Sequence, residues 1–240
     1  MTRAAIIAAM PGELKPLVRG WQRQRRNGVD LWHLRRDQRE WVAACAGAGQ
    51  AAATRAFAEI EKDGAVTIAV SAGWAGALAP RFRAGATFRP SGVIDCQTGE
   101  RFRVARCSEE LWLVTSPRVA DAAEKRRLAA AYGAGLVDME AAAVARLAAM
   151  RGIPFYCVKG VSDAWDDTLP DFNRFLSPAG HLHLGRLLAY LLPRPAYWRA
   201  LVRMGENSKK ASRGLAVHLP DLLDERGYIG KQNGESTLRR

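Results

Sequence analysis

The stretch that decides the fold is 138–163, which reads DMEAAAVARLAAMRGIPFYCVKGVSD. Its first part, 138–152, consists mostly of strong helix formers behind an acidic residue that suits a helix N-cap, so it predicts a helix. The following run, 154–163, is short, apolar and ends in Ser162 and Asp163, so it predicts a buried strand with a polar end. A helix that leads directly into a buried strand is typical of α/β folds.

Segments of the same two kinds alternate along the rest of the chain. Apolar or alternating runs predict strands at 4–9, 29–36, 40–46, 66–73, 86–95, 101–106 and 111–116. Helical runs are predicted at 50–64, 119–134 and 181–193, with a further short helix that begins near Pro11. This alternation predicts an α/β fold with a parallel or mixed central sheet.

The character of the chain changes after Pro195. We expect residues 1–195 to form one domain and residues 196–240 to form a basic C-terminal extension. One helix face of this extension is predicted to carry Trp198, Leu201, Val202, Leu215 and Leu219. The polar, glycine-containing stretch 227–240 is expected to be partly disordered.

Charge and cysteine content limit the class of protein. The 240 residues carry a formal net charge of +12, concentrated at 19–39 and 194–213. Neither segment has an RNA-binding signature, which disfavours nucleic acid and leaves a basic enzyme or contact with an anionic membrane. The four cysteines are far apart and contain no C-x-x-C pair, which predicts reduced thiols. The apolar run 4–9 is too short for a secretion signal, so we expect a cytoplasmic protein.

A glycine-rich turn lies between the strand 40–46 and the helix that follows it. Residues 47–52 read GAGQAA and fit G-x-G-x-x-A, a form found in dinucleotide-binding proteins. The same glycines suit a tight strand-to-helix turn with no ligand. The motif alone therefore favours the turn, and a dinucleotide-dependent oxidoreductase remains a weak alternative.

Three acids follow predicted strands. Glu13 comes after the first strand, Glu140 lies in the first turn of the helix 138–152, and Asp163 ends the strand 154–163. Acids at helix N-termini need no function, because the helix dipole favours them there. Ligands of open α/β sheets, however, bind beyond the carboxyl ends of the strands, which predicts one shared pocket for the three acids. The histidines have no metal-ligand spacing, and no metal is expected.

Five segments resemble the nucleoside phosphorylase/nucleosidase superfamily in order and approximate spacing: AAIIAAMPGEL, CAGAGQAAATRAF, AGWAGALAP, VDMEAAAVA and PFYCVKGVSDAWDD. The chain most resembles the branch of 5′-methylthioadenosine/S-adenosylhomocysteine nucleosidase, over roughly residues 3–192. The resemblance implies a three-layer αβα sandwich with a mixed central sheet. It also implies cleavage of the N-glycosidic bond of an adenine nucleoside with a modified 5′ group, no cofactor, and a homodimer. Water or phosphate is the nucleophile in this superfamily.

The resemblance also implies roles for the candidate residues. Glu13 matches the acid that orients the attacking water. Met139 and Glu140 match the residues that pack on the ribose and hydrogen-bond to it. Asp163 matches the acid that protonates the purine, and Ser162 steadies its loop.

Other positions are implied to line the pocket. Gly76 lies on the sugar side, and the backbone of Val119 and Ala120 faces the base. The chain departs from the nucleosidases at Trp74, where they have a small hydroxyl residue, and at Lys159, where they have arginine. Both are included among the candidate substrate-binding residues.

A second resemblance concerns residues 95–102, DCQTGERF, and the basic extension. Both resemble the hopanoid-associated phosphorylase branch, which implies release of adenine from adenosylhopane. An apolar substrate of this kind fits a basic, amphipathic extension that lies on a membrane surface. A non-catalytic nucleoside-binding module is the alternative of another class.

Overall fold

A mixed β-sheet forms the centre of the computed structural model, which describes residues 2–105, 107 and 110–224. Its strands are β1 (Thr2–Ala8), β2 (Gln22–Arg26), β3 (Val29–Arg36), β4 (Arg39–Cys45), β5 (Ile68–Ala77), β6 (Thr87–Phe88), β7 (Gly92–Asp95), β8 (Arg101–Arg103), β9 (Trp112–Thr115), β10 (Leu136–Asp138) and β11 (Phe155–Asp163). The helices are α1 (Pro11–Leu14), α2 (Gln50–Glu61), α3 (Ala122–Tyr132), α4 (Ala141–Met150), α5 (Leu184–Leu191) and α6 (Trp198–Asp224). Short 3₁₀ helices span Phe172–Phe175 and Pro195–Tyr197.

The strand order is β2-β3-β4-β1-β5-β10-β9-β7-β8, and β11 pairs with both β5 and β6. Parallel pairing joins β1 to β4 and β5, β5 to β11, and β9 to β7 and β10. The remaining pairs are antiparallel. The prediction of a mixed sheet is confirmed.

Strand β5 is the branch point of this sheet. Along one edge it pairs with β1 through residues 68–71 and then with β10 at Gly76 and Ala77. β11 occupies the opposite edge, where Asp163 lies opposite Gly76. Val137 of β10 is the other partner of Gly76. The strands that lead to the two acidic motifs therefore meet on either side of one glycine.

Apolar side chains cover both faces of the sheet. Alternate residues of β1 point to opposite faces, as strand geometry requires. Ala5 and Ile7 join a core that includes α2 and α4, whereas Ala4 and Ile6 join a second core that includes residues of α6. Helices on both faces give the predicted three-layer αβα arrangement with a C-terminal helix.

Helix α6 packs on the sheet through its second half. Leu215 and Leu219 are fully buried in the core, whereas Trp198 and Val202 are 49% and 63% exposed. The residues predicted to share one helix face therefore have different surroundings in the first turns and in the later turns of α6. The boundary predicted at residue 195 does not separate α6 from the core, and the stretch 227–240 lies outside the described residues.

Several elements differ from the sequence predictions. β2 and β10 were not predicted, and the segment 86–95 is divided into two strands at Pro90, which has no N–H to donate. β5 continues to Ala77, four residues beyond the end of the strand predicted at 66–73. Among the described residues, no helix combines the length and apolarity needed to cross a membrane.

Candidate active site

A cavity of about 260 Å³ lies beyond the carboxyl ends of β1, β10 and β11 and beside the last residues of β5. Glu13, Glu140 and Asp163 all line it. Its wall also includes the candidate residues Trp74, Gly76, Val119, Met139 and Ser162. Lys159 is not part of this lining, so the structure does not bring it to the cavity as a substrate contact.

Glu13 is held over β5 by backbone donors. The N–H of Met10 donates to Oε2 at 2.7 Å, and the N–H of Trp74 donates to Oε1 at 2.8 Å. Burial raises the pKa of Glu13, although these backbone N–H groups and Lys159 act in the opposite direction. A methyl group at Gly73 would lie 2.8 Å from Oε1, so only glycine leaves room for this carboxylate.

Glu140 lies between β10 and α4 and faces the glycine-rich turn. The N–H of Gly49 donates to its Oε1 at 2.8 Å. Burial raises the pKa of Glu140 to about 8, and the nearby carboxylates of Asp138 and Glu13 add to this effect. A carboxyl group with this pKa exchanges its proton near neutral pH.

The glycine-rich turn makes hydrogen bonds within the protein at three successive N–H groups. Gly47 donates to Ala9 O at 3.0 Å, Ala48 donates to Gly180 O at 2.8 Å, and Gly49 donates to Glu140. A dinucleotide pyrophosphate would require free N–H groups at this helix N-terminus. The turn therefore serves to position Glu140, which favours the interpretation without a phosphate ligand.

Asp138 lines the cavity and forms an ion pair with Lys159, which lies behind it. Their side chains are fully buried, with Nζ and Oδ2 2.8 Å apart. Asp138 also accepts hydrogen bonds from Thr115 Oγ1 at 2.7 Å and from the N–H of Ala141 at 2.9 Å, so it caps α4 as well. The Asp138 carboxylate raises the pKa of Lys159 despite its burial, which keeps this lysine charged beside Glu13 and Glu140.

Asp163 stands at the end of β11, where the pairing with β5 is irregular. The register shifts between Val161 and Asp163, which is the pattern of a β-bulge at Ser162. Ser162 Oγ lies 2.5 Å from Asp163 Oδ1, and Lys125 of α3 is paired with Oδ2. Ser162 therefore contacts Asp163 directly. Lys125 lines the cavity too and was missed by the sequence analysis.

Gly76 provides the space for the group around Asp163. A methyl group there would lie 3.0 Å from Asp163 Oδ2, 3.1 Å from Lys125 Cε and 3.2 Å from Val137 Cγ1. The Trp74 side chain reaches α6, where its indole N–H donates to Ser212 Oγ at 3.0 Å. The large residue at position 74 is therefore fixed by α6 rather than free in the pocket.

The expected base side of the cavity carries one contact that the sequence did not predict. Asn173 accepts a hydrogen bond from the N–H of Val119 at 2.8 Å and donates to its carbonyl oxygen at 3.0 Å. Both backbone polar groups of Val119 are therefore bonded within the protein, and Ala120 is the next residue along the cavity wall.

One end of the cavity is apolar. It is lined by Leu169, Phe172, Leu176, Leu182 and Met204. These side chains come from the segment 169–182 and from α6, and Phe172 belongs to a small core shared with α5. Such a surface suits an apolar part of a ligand rather than a polar one.

Comparison with known proteins gives a family match over part of the chain. A family model described as Phosphorylase superfamily matches residues 111–180, the segment that carries Val119, Glu140 and Asp163. This match and the shared fold confirm the resemblance to the nucleoside phosphorylase/nucleosidase superfamily and support an enzyme of the nucleosidase/phosphorylase type. No match was found among curated proteins.

Solved structures of nucleosidases share the fold over nearly the whole chain. A mutant 5′-methylthioadenosine nucleosidase of Helicobacter pylori, with 5′-methylthioadenosine in its active site, is 15% identical with a TM-score of 0.72, and the match covers 94% of this chain and 99% of that one. Futalosine hydrolase of the same organism is 15% identical with a TM-score of 0.72, at 93% and 98% coverage. The 5′-methylthioadenosine/S-adenosylhomocysteine nucleosidase of Neisseria meningitidis is 17% identical with a TM-score of 0.70, at 94% and 100% coverage.

Proposed function

We propose that this chain hydrolyses the N-glycosidic bond of an adenine nucleoside that carries an apolar 5′ substituent. The observation that carries the proposal is that four carboxyl groups line one cavity, and that three of them, Glu13, Glu140 and Asp163, are not paired with the buried Lys159 as Asp138 is. Glycoside cleavage needs a group that assists the leaving group and groups that stabilise positive charge on the sugar. The cavity supplies both.

Asp163 acts on the leaving base. As the bond between the sugar and N9 of the purine breaks, the electron pair stays on the base, and a proton delivered to N7 makes the base a better leaving group. The bulge at Ser162 and the hydrogen bond from Ser162 fix the direction of the carboxyl group.

Glu140 and Glu13 act on the sugar and on the nucleophile. The ribose develops oxocarbenium character, and hydrogen bonds from its hydroxyl groups to Glu140 strengthen as that charge develops. Glu13 accepts the proton of the attacking water. Burial raises the pKa of Glu13, which makes it a stronger base than an exposed glutamate.

The charges around the cavity favour water over phosphate. Two carboxyl groups, Glu13 and Glu140, would face an incoming phosphate anion. Among the described residues that line the cavity, the cations are Arg118 and Lys125. Lys125 is paired with Asp163, and the Arg118 side chain is 65% exposed and approaches Glu124.

The apolar end of the cavity supports a nucleoside with an apolar 5′ group. The structural neighbour from Helicobacter pylori binds 5′-methylthioadenosine, and the one from Neisseria meningitidis binds methylthio-immucillin-A. Both ligands carry a methylthio group. The lining by leucine, phenylalanine and methionine side chains suits such a group in this chain as well.

A larger lipid-like substituent, as in adenosylhopane, is the second candidate. It is favoured by an exposed apolar ridge on α5, where Leu184, Leu188 and Leu192 are 57–76% exposed at intervals of one helical turn. Arg186 and Arg194 lie beside this ridge in sequence and are exposed. An apolar ridge with adjacent arginines fits the surface of an anionic membrane, which is where such a substrate resides.

Adenine release from methylthioadenosine and from adenosylhopane, each with and without phosphate, tests the proposal. We expect free adenine and free methylthioribose from methylthioadenosine at a rate that phosphate does not change. A sugar 1-phosphate product would contradict hydrolysis. Binding of both nucleosides without adenine release would indicate a non-catalytic binding module.

Co-sedimentation with anionic vesicles at low salt tests the ridge. We expect the wild type to bind and Leu188→Glu to lose binding, while Val217→Glu, at another exposed apolar position, retains it. Absence of wild-type binding would contradict the membrane contact. We also propose that the protein forms a homodimer. Light scattering on the wild type and on Leu188→Glu shows whether a second copy of the chain, rather than a membrane, covers the ridge.

A further inference from the structure

Lys125 is a buried lysine on a helix whose neighbouring cations are exposed. Helix α3 contains Lys125, Arg126 and Arg127 in succession, and only Lys125 is turned inward, with 2% of its surface exposed. Its Nζ donates hydrogen bonds to Asp163 Oδ2 and, at 2.6 Å, to Ala164 O. A buried ammonium group is costly unless it is paired, so this position is tied to Asp163.

The pairing with Lys125 affects whether Asp163 can act as an acid without help. Its Oδ2 accepts from Lys125, and its Oδ1 lies 2.5 Å from the Ser162 hydroxyl group, which donates to it. The hydroxyl group of Ser162 has one proton, and Asp163 Oδ1 at 2.5 Å is a closer acceptor for it than Ala75 O at 3.3 Å. With donors at both of its oxygens, Asp163 has no oxygen in this arrangement that carries a proton for a leaving group. The ammonium group of Lys125 is the nearest group that has one, since a lysine carries three N–H donors and two are bonded here.

We propose that Lys125 supplies the proton that Asp163 hands to the departing base, so that it acts through Asp163 as a positioning and proton-holding residue. The inference rests on the proposed function. As the bond between C1′ and N9 breaks, its electron pair stays on the base, N7 takes a proton from Asp163, and Lys125 passes a proton to Asp163. Lys125 becomes a neutral amine and Asp163 is again a carboxylate.

The remaining atoms balance through the attacking water. Water adds to C1′ and gives one proton to Glu13, and solvent carries an equivalent proton back to Lys125 after the products leave. The net reaction is nucleoside plus water to free base and free sugar. No further reactant is consumed.

Other charged groups near the pair already have partners. Asp167, which accepts from the N–H of Ala164, is paired with Arg203 of α6. Glu124 of α3 is paired with Arg127. The remaining carboxyl groups that line the cavity are Glu13, Asp138 and Glu140. Asp138 is paired with Lys159, and the other two accept hydrogen bonds from backbone N–H groups.

The pH profile of the wild type tests the inference without any substitution. A lone aspartic acid that must be protonated would lose activity about tenfold for each pH unit above its pKa. With the proton held on Lys125, we expect no such fall in kcat for adenine release between about pH 5.5 and 8.5, and ionisation of Glu13 and Glu140, whose pKa values are raised by burial, should instead increase kcat over this range. A steady tenfold fall per unit would overturn the inference alone, whereas no adenine release at any pH would reject the proposed function itself.

Two substitutions separate proton supply from positioning. Lys125→Met should lower kcat at pH 8 by about 10²-fold or more, and the deficit should shrink at lower pH, where solvent more readily supplies the proton that Lys125 no longer holds. Lys125→Arg keeps a cation beside Asp163 but cannot release a proton, so it should stay impaired at every pH. Full rescue by arginine, or a deficit of Lys125→Met that does not change with pH, would reduce Lys125 to a purely structural partner.

An activated substrate and a matched control complete the test. The 4-nitrophenyl riboside has a leaving group that departs without protonation, so Lys125→Met should cleave it within about threefold of the wild-type rate. Arg126→Met, at the adjacent exposed cation, should behave as the wild type in every assay. Melting curves on each variant show whether the fold is retained. An equal loss with both substrates would contradict the role in proton supply.

Discussion

Replacing Glu140 by Gln should raise stability at high pH while it lowers activity. The pKa of Glu140 is raised to about 8 from 4.5, first by burial and then by the carboxylates of Asp138 and Glu13. The folded state therefore holds this proton more tightly than the unfolded chain does. Its contribution to stability is complete below about pH 4.5 and is lost as the pH rises through about 8.

The size of this effect follows from the pKa difference. Each pKa unit corresponds to about 1.4 kcal/mol, so ionisation of Glu140 costs the folded state at most roughly 5 kcal/mol at pH 9. Glutamine is neutral at every pH and escapes this cost. Its amide can still accept the hydrogen bond from the N–H of Gly49.

Urea unfolding of the wild type and Glu140→Gln at pH 5, 7 and 9 measures the difference. We expect similar stability at pH 5 and a growing advantage for the variant by pH 9. The loss of kcat should be largest at pH 9, where Glu140 of the wild type is a carboxylate. Glu124→Gln is the control of opposite sign. In the wild type, Arg127 lowers the pKa of Glu124, so Glu124 contributes stability above about pH 4.5 that is lost as the pH falls.

One alternative would contradict the reasoning directly. If Glu140 only stabilises the start of α4, the variant should lose about 1 kcal/mol at every pH and keep its kcat. A stability difference that does not change between pH 5 and pH 9 would therefore refute the buried-charge account of this site.

Further predictions concern the strand and the helix that frame the cavity. Gly76→Ala should lower kcat/KM, because the added methyl group would lie 3.0 Å from Asp163 Oδ2 and 3.1 Å from Lys125 Cε. The same crowding should lower the free energy of unfolding by about 1–3 kcal/mol. Steady-state kinetics check the first effect and melting curves check the second. Leu215→Ala should lower the free energy of unfolding by about 2–5 kcal/mol, because this side chain of α6 is fully buried in the core. Val202→Ala on the exposed part of the same helix should cost almost nothing, and equal losses would contradict the packing described here.

The sequence predicted the parts of the fold that local patterns encode. Apolar runs at 4–9 and 154–163 mark buried strands, and both strands are present within a residue or two. β2 was missed because its sequence, QRQRR, has no apolar residue, and only its position at the edge of the sheet allows such a strand. β10 was missed because its three residues lie between two helical segments.

The residues of the candidate site were also predicted only in part. Glu13, Glu140 and Asp163 were predicted from their positions after strands, and the structure places all three on one cavity. Lys125 gave no local signal, because it lies in a run of cations on a helix that reads as solvent-exposed. Its burial follows from how α3 packs beside β11, which is a long-range property.

Lys159 illustrates a signal that was noticed but assigned to the wrong partner. A lysine in the middle of an apolar strand indicates a buried charge, and the sequence analysis assigned it to the substrate. The structure pairs it with Asp138 instead, 2.8 Å away and fully buried. The sequence contains both residues, but only the pairing of β5 with β10 and β11 brings them together.

The most direct test of the central claim is the ratio of kcat for adenine release between the wild type and Asp163→Asn, with methylthioadenosine as substrate. The proposal predicts a drop of about 10²–10⁴-fold with the fold retained, because an amide cannot pass a proton to the base. A variant that keeps more than about a tenth of the wild-type rate would contradict the assignment of Asp163 as the group that protonates the leaving base.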